Sequence, residues 1–271
     1  MTTRVAVCQV PIDIDDPEGT RQVLLDAAAE AGDRGADVIV LPELATSGYV
    51  FRDVAEAWSR AEPANGPTVS LFQELSVRHG AVVVGGFCER SDGKRPWNSA
   101  AVVEAGRTLA IYRKTHLWGS EKLVFDTGDA KAPVVRTRVG SVAAMICYDV
   151  EFPEMVRDVS LRGAQLVLAP SNWPANSPPP GERPPEVVKA QANAAVNRVF
   201  VVVADRVGPE RGVQWIGGSV ICDVEGYPVA GPAQGERVVL IANLDLDRAL
   251  DKVVGPHNDA FGDRRPDLYT P

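Results

Sequence analysis

A chain of 271 residues, 45% hydrophobic and 24% charged, has the composition of an ordinary globular protein and enough apolar material for a substantial core. Its formal net charge of -8 is spread along the chain without a Lys/Arg stripe, which excludes a nucleic-acid binder, since cationic contacts to phosphates supply most of that affinity. No run approaches the roughly 18 apolar residues of a membrane-spanning helix.

In chain order, the first apolar run covers residues 5–10 and reads as a strand. It is entered directly, without the long apolar region and small-residue cleavage site of a signal peptide, so a cytoplasmic location is expected. Residues 20–31 carry Val23, Leu24, Ala27, Ala28 and Ala31 at helical spacing, and 36–41 form a second strand that Pro42 ends. A helix over 68–79, a buried strand over 81–89, and a strand pair over 98–104 and 108–113 with a Gly-containing turn follow. The second half repeats the alternation: strand 141–146, helix 153–162, strand 165–169, a Pro-rich loop 170–185, helix 186–197, and strands 199–205, 219–222 and 238–244. Helices interleaved with apolar strands predict an α/β layered domain. The rhythm resumes beyond the Pro-rich loop, so one domain over 1–271 is expected. Its end, 250–271, is read as a C-terminal tail or a subunit-contact arm.

Three strand ends carry reactive groups. Pro42 halts its strand and leaves Glu43 at the C-terminal edge, where α/β folds keep their sites, although Glu43 alone also reads as a solvated loop residue. Arg113-Lys114-Thr115-His116-Leu117-Trp118 delivers cations into a loop in which Glu121 is placed to pair with Lys114. His116 reads equally as a loop brace or a base. Ile146-Cys147-Tyr148-Asp149 then runs an apolar strand into a thiol just before Pro153 starts a helix. A thiol on such a strand-to-helix turn stands above the sheet near free backbone N–H groups and can act as a nucleophile. Cys8, Cys88 and Cys222 sit inside strand-like runs and read as core residues. The four cysteines are far apart and are expected to be free thiols; with His79, His116 and His257 they show no ligand spacing, so neither metal nor cofactor is expected.

Leu41-Pro42-Glu43, Arg113-Lys114-Thr115-His116-Leu117 and Cys147-Tyr148-Asp149, in this order, resemble the Glu–Lys–Cys signature of the nitrilase superfamily. Glu121…Phe125…Gly128-Asp129, Pro170-Ser171-Asn172-Trp173 and Asn197-Arg198-Val199-Phe200 extend the likeness over most of the chain. The resemblance implies a four-layer α-β-β-α sandwich, paired into a homodimer or larger homo-oligomer through its helical layers. It also implies roles: Glu43 as general base, Cys147 as nucleophile, Lys114 with the Tyr148 N–H as oxyanion donors, and Glu121 orienting Lys114. Glu151, Trp118, Asn172 and Trp173 are the expected substrate contacts.

Tyr148-Asp149 is similar to amidase branches rather than nitrile-cleaving ones, and the run to Glu154 most resembles bacterial amidases acting on amino-bearing amides such as 5-aminopentanamide. An anion at Glu151 suits a substrate amine. The implied activity is hydrolysis of a small aliphatic primary amide through a thioester. An N-carbamoyl amine or amino-acid hydrolase, a nitrilase and a non-catalytic binding protein are the alternatives. The chain departs from the resemblance at Gln191-Ala192-Asn193-Ala194-Ala195-Val196-Asn197, which lacks the arginines and glutamate of related helices, and at Asp205-Arg206, where an Asn-Arg pair is usual.

Overall fold

A computed structural model describes residues 2–269; Met1, Thr270 and Pro271, the ends of the expected domain and tail, lie outside the described residues. The chain begins with β1 (Thr2–Gln9), α1 (Pro17–Asp33), β2 (Val38–Val40), α2 (Val54–Arg60), α3 (Pro67–His79), β3 (Val82–Glu89), β4 (Trp97–Glu104), β5 (Arg107–Arg113) and the single turn α4 (Glu121–Val124). It continues with β6 (Val134–Thr137), β7 (Gly140–Ala144), α5 (Pro153–Leu161), β8 (Leu166–Pro170), α6 (Pro185–Asn197) and β9 (Phe200–Ala204). A two-stranded hairpin, β10 (Pro209–Glu210) and β11 (Val213–Gln214), precedes β12 (Val220–Cys222), β13 (Pro228–Ala230) and β14 (Val238–Asp245), and β15 (Val253–Gly255) pairs with β16 (Asn258–Asp259) near the end.

Helix boundaries follow from local chemistry. Asp16 accepts a hydrogen bond from the Gly19 N–H at 3.0 Å and Pro17 opens α1, so one free donor is capped and another is absent. Gly80, at φ +60°, closes α3 in the left-handed conformation that glycine adopts without a Cβ penalty.

Two six-stranded sheets form, in the orders β14-β1-β2-β3-β4-β5 and β13-β12-β9-β8-β7-β6. Alternation along each strand divides the core into three slabs. Val5, Val7, Val38 and Val40 of the first sheet meet Val142, Leu166, Leu168 and Val202 of the second. The intervening Ala6, Cys8, Ile39 and Val83 pack under Leu24, Ala28, Phe72 and Leu75 of α1 and α3. Ala143, Val167, Val201 and Val203 pack under Val156, Val159, Val187 and Ala194 of α5 and α6. Strands covered on both faces are apolar throughout, which is why they are legible as continuous runs. The result is the expected α-β-β-α sandwich.

Strand direction gathers the site. In the first sheet β1, β2 and β3 are parallel, β4 runs against β3 and β5 against β4, so β2 and β5 end at the same edge as β4 begins. In the second, β7, β8 and β9 are parallel. The C-terminal segment is folded onto the chain's own α5–α6 layer. Lys252 donates to the carbonyls of Asn197 and Arg198, and the Phe261 ring lies between Lys252 at 4.6 Å and Arg157 at 5.0 Å. Among the described residues no helix is long and apolar enough to cross a membrane.

Candidate active site

Glu43 follows β2, Lys114 follows β5 and Cys147 follows β7; Asn98 lies at the start of β4 and Asn172 just past β8. The structure brings all five to the seam between the two sheets, and all are buried.

Lys114 is the hub. Its Nζ donates to Glu43 Oε1 at 2.6 Å and to Glu121 Oε2 at 2.7 Å. The Asn98 side-chain amide donates to the same Glu43 oxygen at 2.6 Å and to Glu121 Oε1 at 2.7 Å, linking the two carboxylates from the other side. Glu121 also accepts the Trp118 N–H at 2.6 Å, while Glu43 Oε2 is buried without a partner. Glu121 is the first residue of α4 and not part of an extended loop, and the turn fixes its carboxylate against Lys114. Burial pushes the Glu43 carboxyl up to about 7, with Lys114 pulling it down and Glu121 pushing it up. Burial works against the Lys114 charge, but Glu121 and Glu43 outweigh it and hold the ammonium well above its ordinary range.

Cys147 begins a 3₁₀ turn, Cys147–Glu151, at φ +49°, a left-handed conformation unusual for a residue with a Cβ. Its thiol donates to the Asn172 carbonyl oxygen at 3.7 Å. Burial and the Glu43 charge hold the thiol well above its usual pKa, so the resting group carries its proton. Tyr148 is the second residue of that turn, so its N–H has no acceptor within it.

Two glycines allow the approach. A Cβ on Gly86 would lie 2.4 Å from the Leu44 nitrogen and 2.6 Å from the Glu43 Cα, and one on Gly128 would lie 2.2 Å from the Arg113 carbonyl oxygen. Without them neither Glu43 nor Lys114 could sit where it does.

The expected substrate contacts divide. Trp118 is half-exposed and lines a cavity of about 270 Å³ together with Tyr49, Phe51, Glu121, Phe125 and Trp215. Trp173 is buried, with 1% exposure, in the cluster that also holds Cys147 and Val187, Ala190 and Ala194 of α6. Asn172 commits its amide to the Glu43 carbonyl oxygen at 3.0 Å, which ties the two sheets together at the site. Glu151 carries an ion pair with Lys189 and is not an uncompensated anion. His116 is a brace: its Nδ1 lies 2.8 Å from Asp149, which also accepts from the Tyr112 hydroxyl and the His116 N–H, and its ring stacks on Phe152 at 3.8 Å.

Sequence reasoning missed Asn98, Tyr49 and Trp215. Asn98 opens an apolar strand where an amide has no local reason to be, and that mismatch was its one signal. All four cysteines are free and buried, and among the described residues no cluster of three or more His, Cys, Asp or Glu side chains is arranged to hold a metal.

A buried Glu–Lys–Glu group beside a strand-end thiol, set between two sheets, defines a class of hydrolases, and the comparison with known proteins agrees: residues 4–250 match the carbon-nitrogen hydrolase family, to which this chain belongs. It is 33% identical over 268 residues to a nitrilase from Pyrococcus abyssi, covering 98% of each chain. It is 36% identical over 237 residues to an (R)-stereoselective amidase from Pseudomonas sp., covering 87% of this chain and 81% of the relative. An N-carbamoylputrescine amidase from Solanum tuberosum is 31% identical over 275 residues, 95% of this chain and 89% of the relative. Among solved structures, the NitN amidase from Nesterenkonia sp. AN1 superposes with a TM-score of 0.79 at 30% identity, covering 92% of this chain and 96% of that one. A variant of the Nesterenkonia amidase carries the acetamide moiety of fluoroacetamide covalently on its active-site cysteine.

Proposed function

We propose that this carbon-nitrogen hydrolase is an amidase that hydrolyses a small primary amide to a carboxylic acid and ammonia through a thioester on Cys147. The observation that carries the reading is the buried Lys114, held by two carboxylates within a group that also includes the thiol. Glu43 takes the thiol proton as sulfur attacks the carbonyl carbon. Lys114 and the Tyr148 N–H hold the oxyanion. The protonated Glu43 then delivers its proton to the departing ammonia, and water, activated by the same carboxylate, hydrolyses the thioester. Glu121 and Asn98 hold Lys114 and Glu43 in register. The amino-bearing acyl group that Glu151 alone would favour is not retained, because Lys189 already neutralises that carboxylate.

Ammonia release from a panel of amides, N-carbamoyl amines and nitriles tests the reading: release from amides is expected, and release from nitriles alone would overturn it. Likeness to the N-carbamoylputrescine amidase favours a second reading, carbamoyl hydrolysis by the same residues; carbon dioxide released together with ammonia would mark it.

Because Glu43 must be ionised to accept the proton and its carboxyl is pushed up to about 7, kcat/KM is expected to fall as pH drops through that value. The slope of the acid limb should approach about tenfold per pH unit. A profile flat down to pH about 5 would remove Glu43 from the role of base.

One domain and a cytoplasmic setting belong to the same reading, supported by the continuous sandwich and the four free thiols. Assembly through the helical layers is supported by exposed Leu161 on α5 and Val188 and Val196 on α6.

A further inference from the structure

The cavity beside Glu121 is walled almost entirely by aromatic and aliphatic side chains: Tyr49, Phe51, Trp118, Val124, Phe125 and Trp215. Its one charged lining residue, Glu121, has both oxygens engaged, by Asn98, Lys114 and the Trp118 N–H. Two further charged groups near this lining are also paired. Arg206 lies behind Trp215, 4.7 Å from its ring, and pairs with Glu210 at 3.1 Å. Glu151 pairs with Lys189. A substrate carboxylate entering this space would therefore lose its water and face the net negative charge of the Lys114–Glu43–Glu121 group, and an ammonium would lose its water beside a Glu121 whose oxygens are already engaged, a desolvation cost that disfavours both.

The walls are also braced. Glu210 accepts the N–H groups of Tyr49 at 2.9 Å and Val50 at 2.7 Å, tying the loop after Glu43 to the β10–β11 hairpin. Pro174 forms a β-bridge with Trp215, and the Trp215 ring packs edge-on against Tyr49 at 5.1 Å. Tyr49 connects this wall to the reacting groups: burial, Glu121 and Glu43 all keep its phenol protonated, so it adds no charge. At ~30 Å³ per water-sized group, a volume of about 270 Å³ holds on the order of nine non-hydrogen atoms.

We propose, building on the amidase reading, that this cavity receives the acyl group of the substrate and selects a neutral, flat, apolar body of aryl-alkyl size. Trp215 is its specificity-determining wall. Aromatic faces and edges at fixed positions favour an aromatic partner over a short aliphatic one beyond the area buried, and walls braced in advance lose little freedom on binding.

The experiment compares kcat/KM for 3-phenylpropanamide, butyramide, 5-aminopentanamide and succinamate. The aryl-alkyl amide is expected to exceed butyramide by about tenfold or more and the two charged amides by about a hundredfold or more. Trp215→Ala is expected to bring the aryl-alkyl to butyramide ratio close to one, whereas Trp215→Phe keeps most of it and shows that the hairpin still folds. Butyramide hydrolysed as fast as 3-phenylpropanamide, or a preference for either charged amide, would overturn this inference and leave the amidase reading standing. No ammonia from any amide, butyramide included, would overturn the amidase reading itself, and this inference with it.

Discussion

Replacing Cys147 with alanine is expected to lower amide hydrolysis by on the order of 10⁴–10⁶-fold while leaving the protein folded. The size follows from the loss of the thiol that attacks the acyl carbon in the proposed cycle; the donors that remain can bind and polarise an amide but form no thioester. The fold should survive because the exchange removes one buried sulfur whose hydrogen bond, to the Asn172 carbonyl at 3.7 Å, is a long one. Alanine accepts the φ of +49° no worse than cysteine does, since both carry a Cβ. Ammonia release measured beside a thermal melt separates the two effects. An alanine variant with wild-type turnover would show that another group attacks the substrate.

Lys114→Met is expected to damage both chemistry and folding. Loss of one oxyanion donor costs roughly 2.7–4 kcal/mol of transition-state stabilisation, on the order of a hundredfold to a thousandfold in kcat. The same change leaves Glu43 and Glu121 buried together without a cation, and breaking a buried pair in this way costs about 3–5 kcal/mol of stability. The stability loss carries a pH signature. Without Lys114, burial and the neighbouring Glu121 charge hold the Glu43 carboxyl above its unfolded value with no cation to pull it down, so the folded variant binds more protons than the unfolded one. Its stability therefore falls as pH rises from the unfolded carboxylate range, about 4.3, toward the raised folded value of Glu43, and recovers on acidification. Urea melts of the variant and the wild type at several pH values check this: a variant equally stable at pH about 5 and 8 would mean the carboxylates are not left uncompensated.

The layers of the fold and the three strand-end groups were readable because each depends on residues close together in the chain. Val38, Ile39 and Val40 announce a strand covered on both faces, Pro42 stops it, and Glu43 has to lie at its edge. Partnerships made across the sheets left no such trace. Asp149 is 33 residues from His116 and Lys189 is 38 from Glu151, and in the linear pattern neither pair suggests itself. The cost of this was specific: an apparently free anion at Glu151 pointed to a cationic substrate, and its partner removes that reason. The surroundings of Trp173 were hidden for a related reason, since an aromatic residue after a strand end reads the same whether it turns toward the site or back under α6. The β10–β11 hairpin has strands of only two residues and no apolar alternation, yet it supplies the Glu210 brace and leads into Trp215.

The trio of Lys114, Glu43 and Glu121 sets an electrical condition on the whole reaction. Two carboxylates and one ammonium leave a single net negative charge in a space closed to solvent. In the proposed cycle the proton passes from sulfur to Glu43, then to departing ammonia, and each transfer moves charge among groups already present. With a neutral substrate the total stays at minus one from the bound amide through the thioester to the free acid's formation. The enclosed medium, which cannot reorganise as water does, is never asked to accommodate a new net charge.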